Sequence, residues 1–220
     1  MAEAAGGPAL DRRPVPAASA TVGLLPGLAA AAGRGCRIER DERCPVIDLP
    51  ASWEAYLATL SGKDRHELRR KLRRADEAGA RVEVARTPAG IAAFMDSFLD
   101  LHRKSKVGKA RFMDARMEGF FREVGAALAG AGWAALWVLW VEERPVATLF
   151  CLEYGGTVGL YNSGFDPEAR ALSPGVVLIA RTIEDAIRRG FRRYDFLRGD
   201  ESYKYGFGAV PTDVLRVTLT

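Results

Sequence analysis

Residues 133–165, WAALWVLWVEERPVATLFCLEYGGTVGLYNSGF, decide how this chain is read. Val, Leu, Trp, Tyr and Phe crowd three runs of strand length, 133–142, 145–154 and 157–165. Two turn signals separate them, Glu143-Arg144-Pro145 and Gly155-Gly156. β-branched and aromatic side chains suit a pleated, half-buried surface, and a glycine pair between two apolar runs supplies the positive φ angles of a tight hairpin. The stretch therefore predicts an antiparallel three-stranded meander.

Upstream of the meander the apolar residues recur at helical spacing. Trp53, Tyr56, Leu57 and Leu60 make a short amphipathic helix with Ser52 as its N-cap. Ser61-Gly62-Lys63-Asp64 fits a capping box, with Asp64 reaching back to the Ser61 amide, and opens a helix that Gly79 stops. Arg65, Arg69 and Arg73 lie four apart on one face of it, while Leu68, Leu72 and Ala75 form the stripe that docks it. The basic ridge over 63–74 reads in three ways. It is a solvated face laced by pairs such as Glu67 with Lys71, a contact for an anionic ligand, or a nonspecific nucleic-acid surface, the last weakened by the lack of interleaved aromatics.

Alternation over 80–85 predicts a strand, and 88–104 and 114–131 return to helical periodicity through Ile91, Met95, Phe98 and Leu101, then Met117, Phe121 and Leu128. His102, near the end of the first of these helices, reads as a helix-terminus cation before it reads as a base. After the meander come a loop over 166–175, a helix over 176–189 closed by Gly190, a short buried strand over 193–197 and a last strand over 214–219. This order implies an α/β chain of the α+β type, with one mixed, mainly antiparallel sheet flanked by helices. Residues 1–35, rich in Ala, Gly and Pro, are expected to form a flexible segment ahead of one folded domain over 36–220.

Composition narrows the function classes. No apolar run reaches the ~18 residues of a transmembrane helix. Arg12 and Arg13 precede the apolar stretch 21–32, but Glu3 and Asp11 dilute the charge and Pro26-Gly27 interrupts the run, so a cytoplasmic location is expected rather than a leader peptide. Cys36, Cys44 and Cys151, with only His66 and His102 beside them, offer neither a disulfide framework nor metal-ligand spacing, and no metal is expected. Lys plus Arg exceeds Asp plus Glu by 32 to 28, a mildly positive field that favours anionic ligands.

Several short motifs then occur in a telling order: Tyr161-Asn162-Ser163-Gly164-Phe165-Asp166, Leu172-Ser173-Pro174-Gly175, Gly190, Tyr194-Asp195-Phe196-Leu197-Arg198-Gly199 and Tyr203-Lys204. Trp53, the helix from Lys63 to Arg74, and Leu101-His102 precede them. Over roughly residues 44–210 the chain resembles the FemAB-like acyltransferases of the GNAT superfamily, and in its C-terminal third the CelD-type cellulose-biosynthesis acetyltransferases. The resemblance implies a GNAT-like sheet and an N-acyltransferase. The expected donor is acetyl-CoA or another acyl-CoA, and the acceptor an amino group on a small molecule, sugar or peptide, in exopolysaccharide or cell-envelope metabolism.

The resemblance also places the site. Acyl-CoA binds at the strand–loop–helix junction after the meander, here Arg170, Ser173, Gly175 and Val176. Pro174 preorganises a first helical turn, Gly175 admits close approach, Ser173 is positioned to cap, Arg170 to pair with phosphate, and free amides with the helix dipole favour an anion. Asp195 would orient the amine or take its proton, or else cap the neighbouring loop. Tyr203 would protonate the leaving thiolate, and Lys204 would hold an anionic group or the oxyanion, or else the two are a packed aromatic beside a surface cation. Tyr161, Ser163, Arg65 and Arg198 are the expected substrate contacts.

The junction departs from the usual superfamily loop, because Ser-Pro-Gly replaces most of a longer pattern of Arg or Gln with spaced glycines. Two alternatives follow: a Fem-type ligase that takes its acyl group from aminoacyl-tRNA, or a noncatalytic binding module cut from a chain with a second half-domain.

Overall fold

The computed structural model describes residues 9–220. Its strands are β1 (Leu10–Pro16), β2 (Cys36–Asp48), β3 (Arg81–Ala85), β4 (Ala134–Val141), β5 (Arg144–Tyr154), β6 (Thr157–Phe165), β7 (Arg193–Asp195) and β8 (Val210–Leu219). Its helices are α1 (Ala20–Ala31), α2 (Trp53–Thr59), α3 (Gly62–Glu77), α4 (Pro88–Ser105), α5 (Val107–Phe112), α6 (Ala115–Gly130), α7 (Pro174–Arg188) and α8 (Ser202–Tyr205), with a 3-10 helix over Pro167–Leu172. The strands form an 8-stranded sheet in the order β1-β8-β2-β7-β6-β5-β4-β3. Every neighbouring pair is antiparallel except β6 with β7. The expected mixed, mainly antiparallel sheet is thus the observed one.

The meander sits where the sheet is covered on both faces. From β4, Ala135, Trp137 and Leu139 join a core with Leu68 and Leu72 of α3 and Leu178 and Ile183 of α7. Ala134 and Leu136 turn the other way, onto Ile91, Met95 and Phe98 of α4 and Phe121 of α6. A strand buried on both faces loses polar alternation, which is why 133–141 reads as one apolar run. On the α4 side, Phe98, Phe121 and Phe150 meet with ring centroids 5.1 to 5.9 Å apart.

Local signals act as their chemistry requires. Ser52 Oγ accepts from the Ala55 amide at 3.1 Å, and Ser61 Oγ accepts from the Asp64 amide at 3.1 Å. The return half of the second box differs from expectation: Asp64 takes the Ser61 hydroxyl, at 2.6 Å, and not the amide. Gly79, at φ +66°, closes α3, with the Ala80 amide donating to the Ala75 carbonyl.

Several stretches depart from the sequence reading, among them β2 and α5, which were not expected, and β8, which begins at Val210 rather than at 214. The flexible segment expected over 1–35 carries β1 and α1 from Leu10 onward, while residues 1–8 lie outside the described residues. Backbone pairing does not depend on apolar content. β8 has an open edge, β1 fills it, and Arg216 clamps Asp11 with two bonds of 2.8 and 2.9 Å. The loop over 166–175 is a 3-10 helix, and α7 begins at Pro174 rather than Val176. The strand over 193–197 stops at Asp195, because Leu197 turns at φ +54°.

Candidate functional site

A gap opens where the two halves of the sheet part. β6 and β7 pair only from Thr157↔Arg193 to Gly159↔Asp195. Beyond that point β7 stays with β2, the Phe196 amide donating to the Pro45 carbonyl at 3.0 Å, while β6 stays with β5 as far as Phe165. A bulge sits at the same place: Cys151 pairs Leu160 and Phe150 pairs Asn162, which leaves Tyr161 as the extra residue. Bulges bend a strand and re-aim its side chains, so β6 leans away just where its parallel partner ends.

The gap holds a cavity of about 390 Å³. Leu149, Phe165 and Ile179 are its apolar lining, and Ser163 and Gly164 of β6 with Gly175 and Val176 of α7 its walls. Lys106, Lys109, Glu201 and Tyr203 complete it. Its size and its few polar groups on an apolar lining are those of a small-molecule site. A neighbouring cavity of about 190 Å³ shares Val176 and Tyr203 with it and reaches Asp64, Glu67 and Lys71 of α3. A cleft of about 440 Å³ between β3, β4 and α7 is wider, but its guanidinium groups are answered by carboxylates, Arg86 by Glu153 and Asp185, Arg181 by Asp76 and Glu184. That cleft is an ion network tying β5 to α7.

The start of α7 leaves backbone amides open. Ser173 adopts φ 51°, ψ 50°, its carbonyl accepts from the Val177 amide at 3.1 Å, and Pro174 has no N–H. The amides of Gly175 and Val176, at the open end of the helix, lack a protein partner among the described residues. Ser173 does not cap them as expected. Capping serines are extended, and the left-handed backbone here leaves its hydroxyl without a cap bond. A Cβ on Gly175 would meet nothing nearer than Phe165 Cδ1 at 4.0 Å, so the space on that side is open. Arg170 is exposed on the 3-10 helix that leads into α7 and packs beside α3.

The remaining expected residues divide. Tyr203 and Ser163 line the cavity. Tyr203 is 44% exposed, yet burial of its hydroxyl, with Glu201 nearby, pushes the phenol up to about 12, which keeps it a proton donor. Asp195 is not in the lining. Its Oδ1 accepts from the Leu197 amide at 2.7 Å, the loop cap that was one of its two readings, and burial raises its carboxyl.

Lys204 is corrected more sharply. At 3% exposure its ammonium donates to the Phe196, Arg198 and Gly199 carbonyls at 3.3, 3.2 and 2.9 Å and meets Glu201 at 2.9 Å. Its three donors are consumed in holding the loop, so neither the surface cation nor the substrate contact of the sequence reading describes it. Arg198 clamps Glu42 of β2, Arg65 turns to the Leu57 carbonyl at 3.5 Å, and Tyr161 packs on Phe121 and Phe150, on the α4 face of the sheet.

Lys106 and Lys109 escaped the sequence reading. A signal was present: from Leu101 to Met113 the chain carries Arg103, Lys104, Lys106, Lys109 and Arg111 without one carboxylate. The short helix α5 that folds Lys109 into the gap has too few residues to show periodicity. His102 also proves to be no terminal cation. It is buried, its Nδ1 has no partner, and burial with the charge of Lys109 pushes the imidazole down to about 4.

A histidine that folds neutral contributes stability fully above its unfolded value of ~6.5, and that contribution is lost as pH falls toward the folded value. The urea midpoint is therefore expected to drop more steeply between pH ~6.5 and ~4 in the wild type than in His102→Leu. Parallel pH profiles for the two proteins would remove His102 from the account.

A family model described as an acetyltransferase (GNAT) domain matches residues 62–205, from the first turn of α3 to the end of α8. Among curated proteins none matches. Among solved structures, FemX superposes with a TM-score of 0.71 at 13% identity, covering 95% of this chain and 71% of that one. The C-terminal domain of a protein described as a lysylphosphatidylglycerol synthetase from Agrobacterium fabrum gives 0.62 at 14%, over 88% of this chain and 64% of that one. L-PGS from Bacillus licheniformis gives 0.58 at 15%, over 83% and 61%. The chain thus spans less than two thirds of the last two structures, and at these identities the likeness is one of fold.

Proposed function

The chain belongs to the acetyltransferase (GNAT) domain family, and on that premise we propose that it transfers an acyl group from an acyl-CoA, acetyl-CoA first among them, to an amine. The observation that carries this reading is the coincidence of the β6–β7 gap with the open amides of α7. The donor's phosphates would lie on the Gly175 and Val176 amides with Arg170 beside them, where the helix dipole adds to the hydrogen bonds. The thioester would then run along the edge of β6 that β7 has vacated, past Ser163 and Phe165. Attack by a neutral amine builds an oxyanion and expels a thiolate, which needs a proton. Tyr203 lines the cavity and keeps its proton at neutral pH, and it would supply that proton. The acceptor is an amino group of a small molecule, sugar or peptide, and exopolysaccharide or cell-envelope metabolism is the setting the CelD resemblance suggests.

A thermal-shift titration tests the donor. A ligand held at ~100 times its Kd stabilises the folded state by ~2.7 kcal/mol, which for a chain of this length raises Tm by roughly 5–11 °C. Acetyl-CoA or a longer acyl-CoA is expected to do this for the wild type and not for Gly175→Glu, whose carboxylate would project into space that is open in the fold. A second reading, an aminoacyl-tRNA donor, draws on the short Ser173-Pro174-Gly175 junction and on exposed Lys63, Arg69 and Arg74 of α3, which meet no carboxylate among the described residues. Absence of a shift with any acyl-CoA, together with salt-sensitive binding of charged tRNA, would replace the first reading by the second.

A further inference from the structure

Cations that leave water in this fold are answered by carboxylates. Arg86 meets Glu153 and Asp185, Arg103 meets Glu118, and Lys204 meets Glu201. An uncompensated charge in a low-dielectric surrounding is costly, so this matching is what stability requires. Among the described residues, half-buried cations that depart from this are Arg65, which turns to the Leu57 carbonyl outside the cavity lining, and Lys109. Lys109 is the one at the cavity. It is half-buried on the cavity wall with no carboxylate at ion-pair distance, and its ammonium donates to the carbonyl and, at 3.4 Å, to the hydroxyl of Ser163. Those bonds occupy two of its three donors, and the third is left for the cavity.

Lys106, three residues earlier, lines the same cavity and adds a second positive charge. Burial and that neighbour push the Lys109 ammonium down to about 8, against a smaller upward pull from the more distant Glu201. Glu201, the one carboxylate in the lining, is already taken by Lys204 at 2.9 Å. The wall is therefore short of a negative charge, and the apolar residues beside it supply none.

We propose that Lys109 and Lys106 form an anion subsite for the acceptor, so that the amine acylated here carries a carboxylate or a phosphate. The word acceptor rests on the acyltransferase reading; the anion subsite stands on the geometry of the wall. The two lysines reach the cavity from α5 and the residue before it, whereas the donor's phosphates have the amides of α7 and Arg170. An acidic group held by two ammonium groups would fix the acceptor at one end and leave its amine to meet the thioester beside Ser163.

Competitive labelling with acetic anhydride, read lysine by lysine by mass spectrometry across neutral to alkaline pH, tests the subsite on the full chain. The probes are inorganic phosphate, N-acetylglycine and its uncharged amide, N-acetylglycinamide. Phosphate or N-acetylglycine is expected to slow labelling of Lys109 several-fold and move its titration midpoint upward, with Lys63 and Lys104 unchanged and the amide without effect. Lys106→Met should weaken the protection. If neither anion slows Lys109 more than the amide does, the subsite is overturned.

Repeating the anion titration with CoA present assigns the owner. Protection that persists when CoA is bound places the anion on the acceptor, and loss of the added anion's effect gives the lysines to the donor's phosphates and overturns the proposal. Failure of the acyl-CoA reading would show separately, as no rise in Tm with any acyl-CoA while the anion still protects Lys109.

Discussion

Gly164→Ala is expected to cost about 3 kcal/mol or more, at the upper end of overpacking substitutions, and to lower Tm by at least roughly 6–12 °C. The new methyl would stand 2.3 Å from the His102 amide nitrogen, 2.4 Å from the Leu101 carbonyl carbon and 2.8 Å from His102 Cα. All three are backbone atoms, so no rotamer change relieves the contact. α4 cannot retreat as a body, because Phe98, Leu99, Leu101 and His102 are all buried in its last turns. Gly164 also lines the cavity, and α4 runs straight into the Lys106–Lys109 segment, so the displacement would loosen the site as well as the core. Gly175→Ala is the control, since its methyl meets Phe165 only at ordinary contact distance and should change stability by less than about 1 kcal/mol. A Gly164→Ala protein that melts within a degree or two of wild type would mean that α4 and β6 are not pressed together as described.

Tyr203→Phe should leave the fold intact and slow turnover by about 10²-fold, the lower end of what a positioned proton donor contributes. The ring packs edge-on against Phe196 with centroids 6.2 Å apart, and a phenylalanine keeps that contact. The hydroxyl makes no hydrogen bond among the described residues, so its removal strands no partner. A phenol pushed up to about 12 stays protonated through the neutral and mildly alkaline range, so no loss of this donor is expected as pH rises there. Thiol release from acetyl-CoA, with the amine that supports the fastest turnover, gives the measurement. The expected pattern is a fall in kcat with the donor's thermal shift retained; an unchanged kcat would show that the thiolate takes its proton from elsewhere, for instance from water.

The elements that position the site were legible wherever one periodicity held long enough. The β4–β6 meander, α4 with its stripe of Ile91, Met95 and Phe98, and α7 with Ile179, Ile183 and Ile187 each bury a continuous face, and burial is what writes a period into sequence. β1 and α1 were not legible. β1 buries none of its residues fully and α1 only Ala29, and what holds β1 is a ladder to β8, which leaves no mark on composition.

The site divides along a similar line. The helix start at Ser173-Pro174-Gly175 could be inferred because it depends on residues near in sequence, whereas the place of Tyr203 beside it came from the family resemblance. From the sequence alone, periodicity therefore determined the sheet class, and the order of short motifs carried the acyltransferase resemblance. Only the tertiary structure decided that Lys204 locks its own loop, that Asp195 caps Leu197, that Ser173 is left-handed, and that Lys109 reaches Ser163 across 54 residues of chain. The reason is physical. Whether a charge serves a ligand or the fold depends on which carbonyls and carboxylates stand within hydrogen-bond reach, and those partners are brought there by strands and helices that the local sequence does not contain.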